Sequence, residues 1–136
     1  MRRRKYKIFI SVPVLKSDIS SSKNRYDKII DRITKSFKFD YKIINDFSYY
    51  YDDKKNEYET LNLLSKSMKA LQKADFVIFA CDWENSIQSC SEHDICLLYK
   101  IPCVYEDRYP HIIKTNSNLS YKFEELQNIS QKWGNN

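Results

Sequence analysis

The sequence contains a single glycine, Gly134, among 136 residues. Gly-x-Gly-x-x-Gly and Walker-type loops need glycines where backbone closely approaches phosphate. Neither can exist here, so a standard dinucleotide-binding Rossmann enzyme and a P-loop NTPase are excluded. The cysteines, Cys81, Cys90, Cys96 and Cys103, include no Cys-x-x-Cys pair, so the usual zinc spacing is missing. No apolar run is long enough to span a bilayer, and nothing after Met1 resembles a signal peptide's apolar region. The expectation is a cytoplasmic protein with reduced thiols, no metal, no cofactor and no membrane span. Repeats, linkers and low-complexity segments are missing as well.

Charged residues make up 30% and hydrophobic residues 42%, which suits a globular chain rather than a disordered one. The length suits one domain over residues 1–136 with a sizeable core. Residues 134–136 are expected to be a disordered end. Four of the positive charges behind the net +5 are the tail Arg2-Arg3-Arg4-Lys5. Such a tail can touch nucleic acid or anionic lipid; a solvated end is the simpler reading.

The stretch from Asp75 to Glu106 organises the chain. Asp75 to Cys81 is a continuous apolar run, the pattern of a parallel strand buried on both faces. A second run, Ile101 to Tyr105, follows a helical segment, giving a right-handed crossover. Ahead of these, Tyr6 to Ser11 reads as the first strand and Ser17 to Asn24 as a serine-rich loop. Tyr26, Ile29, Ile30, Ile33 and Phe37 form the stripe of a helix over Asn24 to Phe37. Tyr41 to Asn45 is a short strand, and Asp46 to Asn56 a tyrosine-dense loop. Leu61, Leu64, Met68 and Leu71 mark a helix over Glu57 to Lys73. Phe123, Leu126, Ile129 and Trp133 mark a closing helix opened by Ser120, after an irregular segment containing Pro110. This order calls for an α/β, flavodoxin-like three-layer sandwich. Its parallel sheet has four or five strands in the order 2-1-3-4(-5), with a switch point between strands one and three.

Two loops meet at that switch point, Ser11 to Ser22 and Asp82 to Glu92. They bring Ser11, Asp46, Asp82, Trp83, Asn85, Ser86, Ser89 and Glu92 to one crevice, with Arg25 or Glu106 in reach. A carboxylate among hydroxyl and amide neighbours suits attack on an anomeric sugar carbon. The structural alternative is a capping box, with Ser89 as N-cap and Glu92 tying down a backbone N–H. Trp83 is equally a packing residue, and Tyr49-Tyr50-Tyr51 reads as a lid or an oligomer contact. The spacing of Cys90 and His93 also allows a nucleophilic pair.

Lys7 to Pro13, Ala74-Asp75-Phe-Val-Ile78, Trp83-Glu-Asn-Ser86, Glu92-His93 and Ile101 to Glu106 together resemble the nucleoside 2-deoxyribosyltransferase superfamily. The small phage-associated branch, known only as a domain of unknown function, is the most similar. The resemblance covers Lys7 to Glu106 and implies a flavodoxin-like fold. It also implies that Glu92 is the nucleophile that attacks C1′ of a deoxynucleoside and expels the base. Ser86 would bind the sugar or 5′-phosphate side, and its being serine resembles the deoxynucleotide N-hydrolases. Phe9, Ser11 and Pro13 fall on the family's first-strand motif. Ser117 and Asn118 fall where relatives complete a neighbouring subunit's site. The chain departs from the pattern at several positions. Phe9 replaces a tyrosine that orients the carboxylate, and Ser67 falls where relatives carry an assisting aspartate. Val12, Asp82 and Ser89 replace glycines.

The implied function is a glycosidase or transferase acting on a deoxynucleoside or its 5′-monophosphate, as a homo-oligomer. Loss of positioned helpers, typically worth about 10²–10⁴ in rate, keeps open a nucleotide-binding protein without turnover. A Toll/interleukin-receptor-like NAD glycohydrolase is a further alternative. A nucleic-acid-binding module ranks last, because Asp52-Asp53 flank the tyrosines where basic residues would be wanted.

Overall fold

The run Phe76–Phe79 is buried at every position, as a strand covered on both faces must be. The computed structural model of the protein describes residues 5–15, 17–36 and 39–106. Its main sheet contains β1 (Tyr6–Ser11), β2 (Tyr41–Ile43), β5 (Phe76–Phe79) and β6 (Cys103–Tyr105). All pairings are parallel and the order is β2-β1-β5-β6. This is the expected 2-1-3-4 order once a small hairpin outside the sheet is set aside. α1 (Ile19–Ser36) packs on one face, where Ile8, Ile10, Tyr26, Ile29, Phe76 and Ile78 form a core. α2 (Leu61–Leu71) and α3 (Ile87–Leu98) pack on the other, around Phe9, Tyr50, Leu71, Val77, Phe79 and Cys96. The architecture is therefore the flavodoxin-like three-layer sandwich. A fifth strand, the closing helix, Arg2-Arg3-Arg4 of the basic tail and residues 134–136 lie outside the described residues, as do Phe37 and the Ile33 side chain.

Several element bounds differ from the sequence expectation, each for a local reason. β2 stops at Ile43 because a side chain then takes over its pairing. Asn45 accepts from Ile10 N–H at 2.8 Å and donates to Ile10 C=O at 2.7 Å, imitating a strand residue. The serine-rich segment is mostly helix: α1 begins at Ile19, not Asn24. Asp18 accepts from Ser21 N–H at 2.9 Å, and Ser22 Oγ accepts from Leu15 N–H at 2.9 Å. Asp18 and Ser22 thus satisfy backbone ends with their side chains, and the serine-rich stretch does not break the helix.

The tyrosine-dense loop holds a 3-10 turn, Phe47–Tyr49, and a two-stranded hairpin of β3 (Tyr51–Asp52) and β4 (Glu57–Tyr58). That hairpin takes residues assigned by sequence to the second helix, so α2 starts at Leu61 behind the cap Thr60. Its inward face also differs from the predicted stripe. Leu63, Ser67 and Leu71 point in, while Leu61 is 83% and Met68 45% exposed. A polar residue, Ser67, fills an inward slot because Gln88 bonds to it at 2.8 Å. The strands predicted over Asp75 to Cys81 and Ile101 to Tyr105 shorten to Phe76–Phe79 and Cys103–Tyr105, and Cys81 sits half-buried in a turn. Among the described residues no helix is long and apolar enough to cross a membrane.

Candidate functional site

α3 starts three residues, just under one turn, earlier than a Ser89 cap would require. Its N-cap is Ser86, whose Oγ accepts from Ser89 N–H at 3.0 Å. Gln88 N–H adds a 3.0 Å bond to the Glu59 carboxylate, and Ser86 Oγ donates to the same carboxylate. The helix start is thus capped from within and from the β4 end, with a negative charge where the helix dipole favours one. The predicted Ser89–Glu92 capping box does not form. Glu92 lies inside the helix, six residues past the cap, and is free of any capping duty.

Its carboxylate instead points to the carboxyl end of β1. Ser11 Oγ donates to Glu92 Oε1 at 2.6 Å and lies 2.8 Å from Ser89 Oγ. Tyr50 Oη lies 2.9 Å from Oε1 and 3.1 Å from Oε2. The same hydroxyl is 3.0 Å from Ile10 C=O, which also accepts from Asn45. Tyr50 has one proton and three acceptors. When Glu92 is ionised, Tyr50 donates to it and Asn45 keeps Ile10 satisfied. When Glu92 is protonated, it can donate to Tyr50, which then turns to Ile10. The arrangement tolerates either protonation state without an orphaned group.

Glu92 is 0% exposed. Burial pushes its carboxyl up, and hydrogen bonding by Ser11, Ser67, Tyr50 and Gln88 draws it back, leaving it at about 7. Tyr50, equally buried and beside that carboxylate, is raised well above the usual phenol range. Gln88 anchors the surroundings: its Nε2 donates to Tyr49 C=O and Ser67 Oγ, each at 2.8 Å. Its Oε1 is buried with no partner among the described residues.

The other sequence-predicted residues divide clearly. Ser11, Ser86 and Ser89 meet around Glu92 or at the start of its helix. Phe9 is wholly buried core, edge-on to Tyr49 at 6.2 Å, and Pro13 is buried just past β1. Trp83 is 8% exposed and stacks on His93 with ring centroids 4.1 Å apart. Arg25 and Glu106 brace the turn after β5: Arg25 Nη2 donates to Cys81 C=O at 2.5 Å, and Cys81 N–H donates to Glu106 at 2.7 Å. Asp82 is exposed in that turn, 4.0 Å from Arg25, and Asn85 is exposed too. Asp46 caps the 3-10 turn through Ser48 N–H at 2.9 Å and lines a cavity of about 560 Å³ with Lys23, Phe47 and Tyr51. Glu92 does not line that cavity and has no exposed surface, so the carboxylate is enclosed rather than standing open at a mouth. Ser117 and Asn118 lie outside the described residues.

Cys90 and His93 do not pair. The Cys90 thiol donates to Glu84 C=O at 3.3 Å, while His93 Nε2 meets Tyr105 Oη at 2.5 Å. Partial burial and the carboxylates Asp94, Glu84 and Glu59 push the Cys90 thiol up, the reverse of activation. Among the described residues no three His, Cys, Asp or Glu side chains cluster to hold a metal.

Sequence reasoning missed three contributors: Tyr50, Gln88 and Glu59. Gln88 could have been found, since it precedes Glu92 by four residues and shares its helix face. Tyr50 had no such signal. The tyrosine run suggests a lid or oligomer contact, yet Tyr50 is 0% exposed and binds the carboxylate. Against known proteins, no family model, no curated protein and no solved structure matches this chain.

Proposed function

We propose that this chain is an N-glycosidase of the nucleoside 2-deoxyribosyltransferase type, with Glu92 as nucleophile. The observation that carries the reading is the pair of contacts from Tyr50 Oη to both carboxylate oxygens, 2.9 and 3.1 Å. A tyrosine hydroxyl bridging a buried glutamate at the end of the first strand supplies what Phe9 cannot. A carboxyl at about 7 is roughly half ionised at neutral pH, so the attacking form is available. In the reaction, a Glu92 oxygen bonds to C1′ and the C1′–N bond breaks. The base leaves with the bonding pair and takes up a proton. Water, or another base, then displaces the ester and frees Glu92. The unpartnered Gln88 Oε1 is an acceptor for a substrate N–H or O–H. The substrate class is a deoxynucleoside or its 5′-monophosphate, with a cytoplasmic setting and a homo-oligomeric state.

The test is chromatography of deoxynucleosides and 5′-monophosphates incubated with the protein. Free base from the wild type and none from Glu92→Gln is the expected result. No free base from any member of the panel overturns the enzyme reading.

One observation favours a second reading, a nucleotide-binding protein without turnover. Glu92 has no exposed surface, so a sugar reaches it only if Ser11, Tyr50 or Ser89 moves aside. That reading expects a nucleotide to raise Tm while the nucleotide is recovered intact.

A further inference from the structure

α2 turns a lysine-rich face toward the β2 edge of the sheet. Lys66, Lys69 and Lys73 recur at helical spacing, and Lys7 from β1 and Lys42 from β2 meet them. With Tyr49 these five lysines line one cavity of about 510 Å³. Ile43, Ile44 and Ala70 complete the wall, and no aspartate or glutamate lines it. No ion pair to any of the five is found among the described residues. The adjacent Asp75 carboxylate is engaged, accepting from Lys7 N–H at 2.7 Å. Lys66 Nζ is held 4.4 Å above the Tyr49 ring and 3.3 Å from Ser48 Oγ.

A solvated helix face explains Lys66 and Lys69 on α2 and Lys73 just past its end. It does not explain why two further lysines, from two different strands, converge on the same hollow. Like charges gathered around a concavity repel one another and concentrate anions there. We infer that this cavity binds a compact polyphosphate, either as an inorganic chain or as the phosphate tail of a nucleotide. Its volume lies within the few-hundred to roughly 1,000 Å³ span of small-ligand sites. Lysine ammonium groups are point charges on flexible stems, suited to a chain of oxygens without one fixed geometry. A nucleic-acid strand needs a continuous basic track with open aromatic faces for bases. Here the one aromatic ring in the lining is covered by Lys66.

The site is separate from Glu92, and its readout is binding rather than turnover, so it stands or falls independently of the glycosidase reading. The experiment is calorimetric titration of the full chain with sodium tripolyphosphate, ATP, adenosine and a short single-stranded oligonucleotide. Tripolyphosphate and ATP are expected to bind, adenosine not, with affinity falling as salt is raised. Tripolyphosphate and ATP within a few-fold of each other points to the phosphate chain alone; ATP much tighter points to a nucleotide source. Lys69→Glu with Lys73→Glu should weaken binding by about tenfold or more, from the known size of exposed charge pairs. Lys42→Ala should weaken it from the opposite wall. Lys28→Glu on α1, outside the cavity, should leave affinity unchanged, which separates the site from net charge. All the altered lysines are exposed, and thermal melts check that each variant folds. The inference is overturned if tripolyphosphate gives no binding, if the cavity variants bind as tightly as wild type, or if the oligonucleotide binds more tightly than tripolyphosphate at matched salt.

Discussion

Tyr50 and Glu92, 42 residues apart, share one buried contact in which a single phenolic hydroxyl spans both oxygens of the carboxylate. Tyr50 reaches that position because the 3-10 turn over Phe47–Tyr49 drops the chain under the sheet's carboxyl edge. Phe9 lies in the same core cluster as Tyr50, without a polar atom to offer. The hydroxyl that meets the carboxylate comes from a different element than the resemblance implied.

Tyr50→Phe should therefore slow base release by about 10² or more, as loss of a positioned acid–base partner does. It should also move the pH midpoint of activity upward, because the hydroxyl stabilises the ionised carboxylate. A pH–rate profile reads both effects. An unchanged rate and midpoint would show that the contact does not orient the nucleophile.

Glu92 makes stability depend on pH in a stated direction. Its folded-state value of about 7 lies above the ordinary 4.5. Between those values the folded chain holds a proton that the unfolded chain has released. The contribution is therefore fully present below about pH 4.5 and is lost as pH rises through about 7. Glu92→Gln removes the titration, so the variant should be more stable than wild type at pH 8, by on the order of 3 kcal/mol. Near pH 4.5 the two should be closely matched. Urea denaturation across this range measures the difference, and a variant less stable than wild type at pH 8 would contradict the assignment.

Ser86→Ala should destabilise the fold by about 0.5–2 kcal/mol, the usual effect of losing an N-cap. The same change strips Glu59 of one of its two partners at the helix start. Thermal denaturation reads the loss. Ser89→Ala leaves the cap intact and removes only the contact to Ser11 Oγ; no loss at all from Ser86→Ala would argue against the Ser86 cap.

The sheet was legible because Ile8 to Ile10 and Phe76–Phe79 are apolar runs whose pattern admits few topologies. That Glu92 faces the carboxyl end of β1 followed from that topology, but its complete enclosure did not. Its helix phase did not, since Ser86 and Ser89 are both plausible caps three residues apart. Glu59, reaching over from the hairpin, favours the earlier one. The hairpin itself was hidden because two-residue strands leave no periodicity to read. Tyr50 was hidden for a related reason: in Tyr49-Tyr50-Tyr51 composition is uniform, and only three-dimensional direction distinguishes the middle ring. Ser67 is marked by the resemblance, but its inward position is not legible from an apolar stripe, because a polar contact to Gln88 governs that face.

Lys100 follows the last turn of α3 with φ 58°, and Ile101 N–H reaches back to Cys96 C=O at 2.9 Å. Helices commonly place glycine at that left-handed position, and this chain has a lysine. Lys100→Gly should add up to about 1 kcal/mol, since the left-handed penalty of a side-chain-bearing residue disappears; a lower urea midpoint would refute this. Asp82, with φ 66°, holds a similar turn beside Arg25. A protein that shapes its bends without glycine leaves untapped room for heat tolerance. Laboratory evolution toward hardier variants should find its first gains at such corners, far from the buried carboxylate.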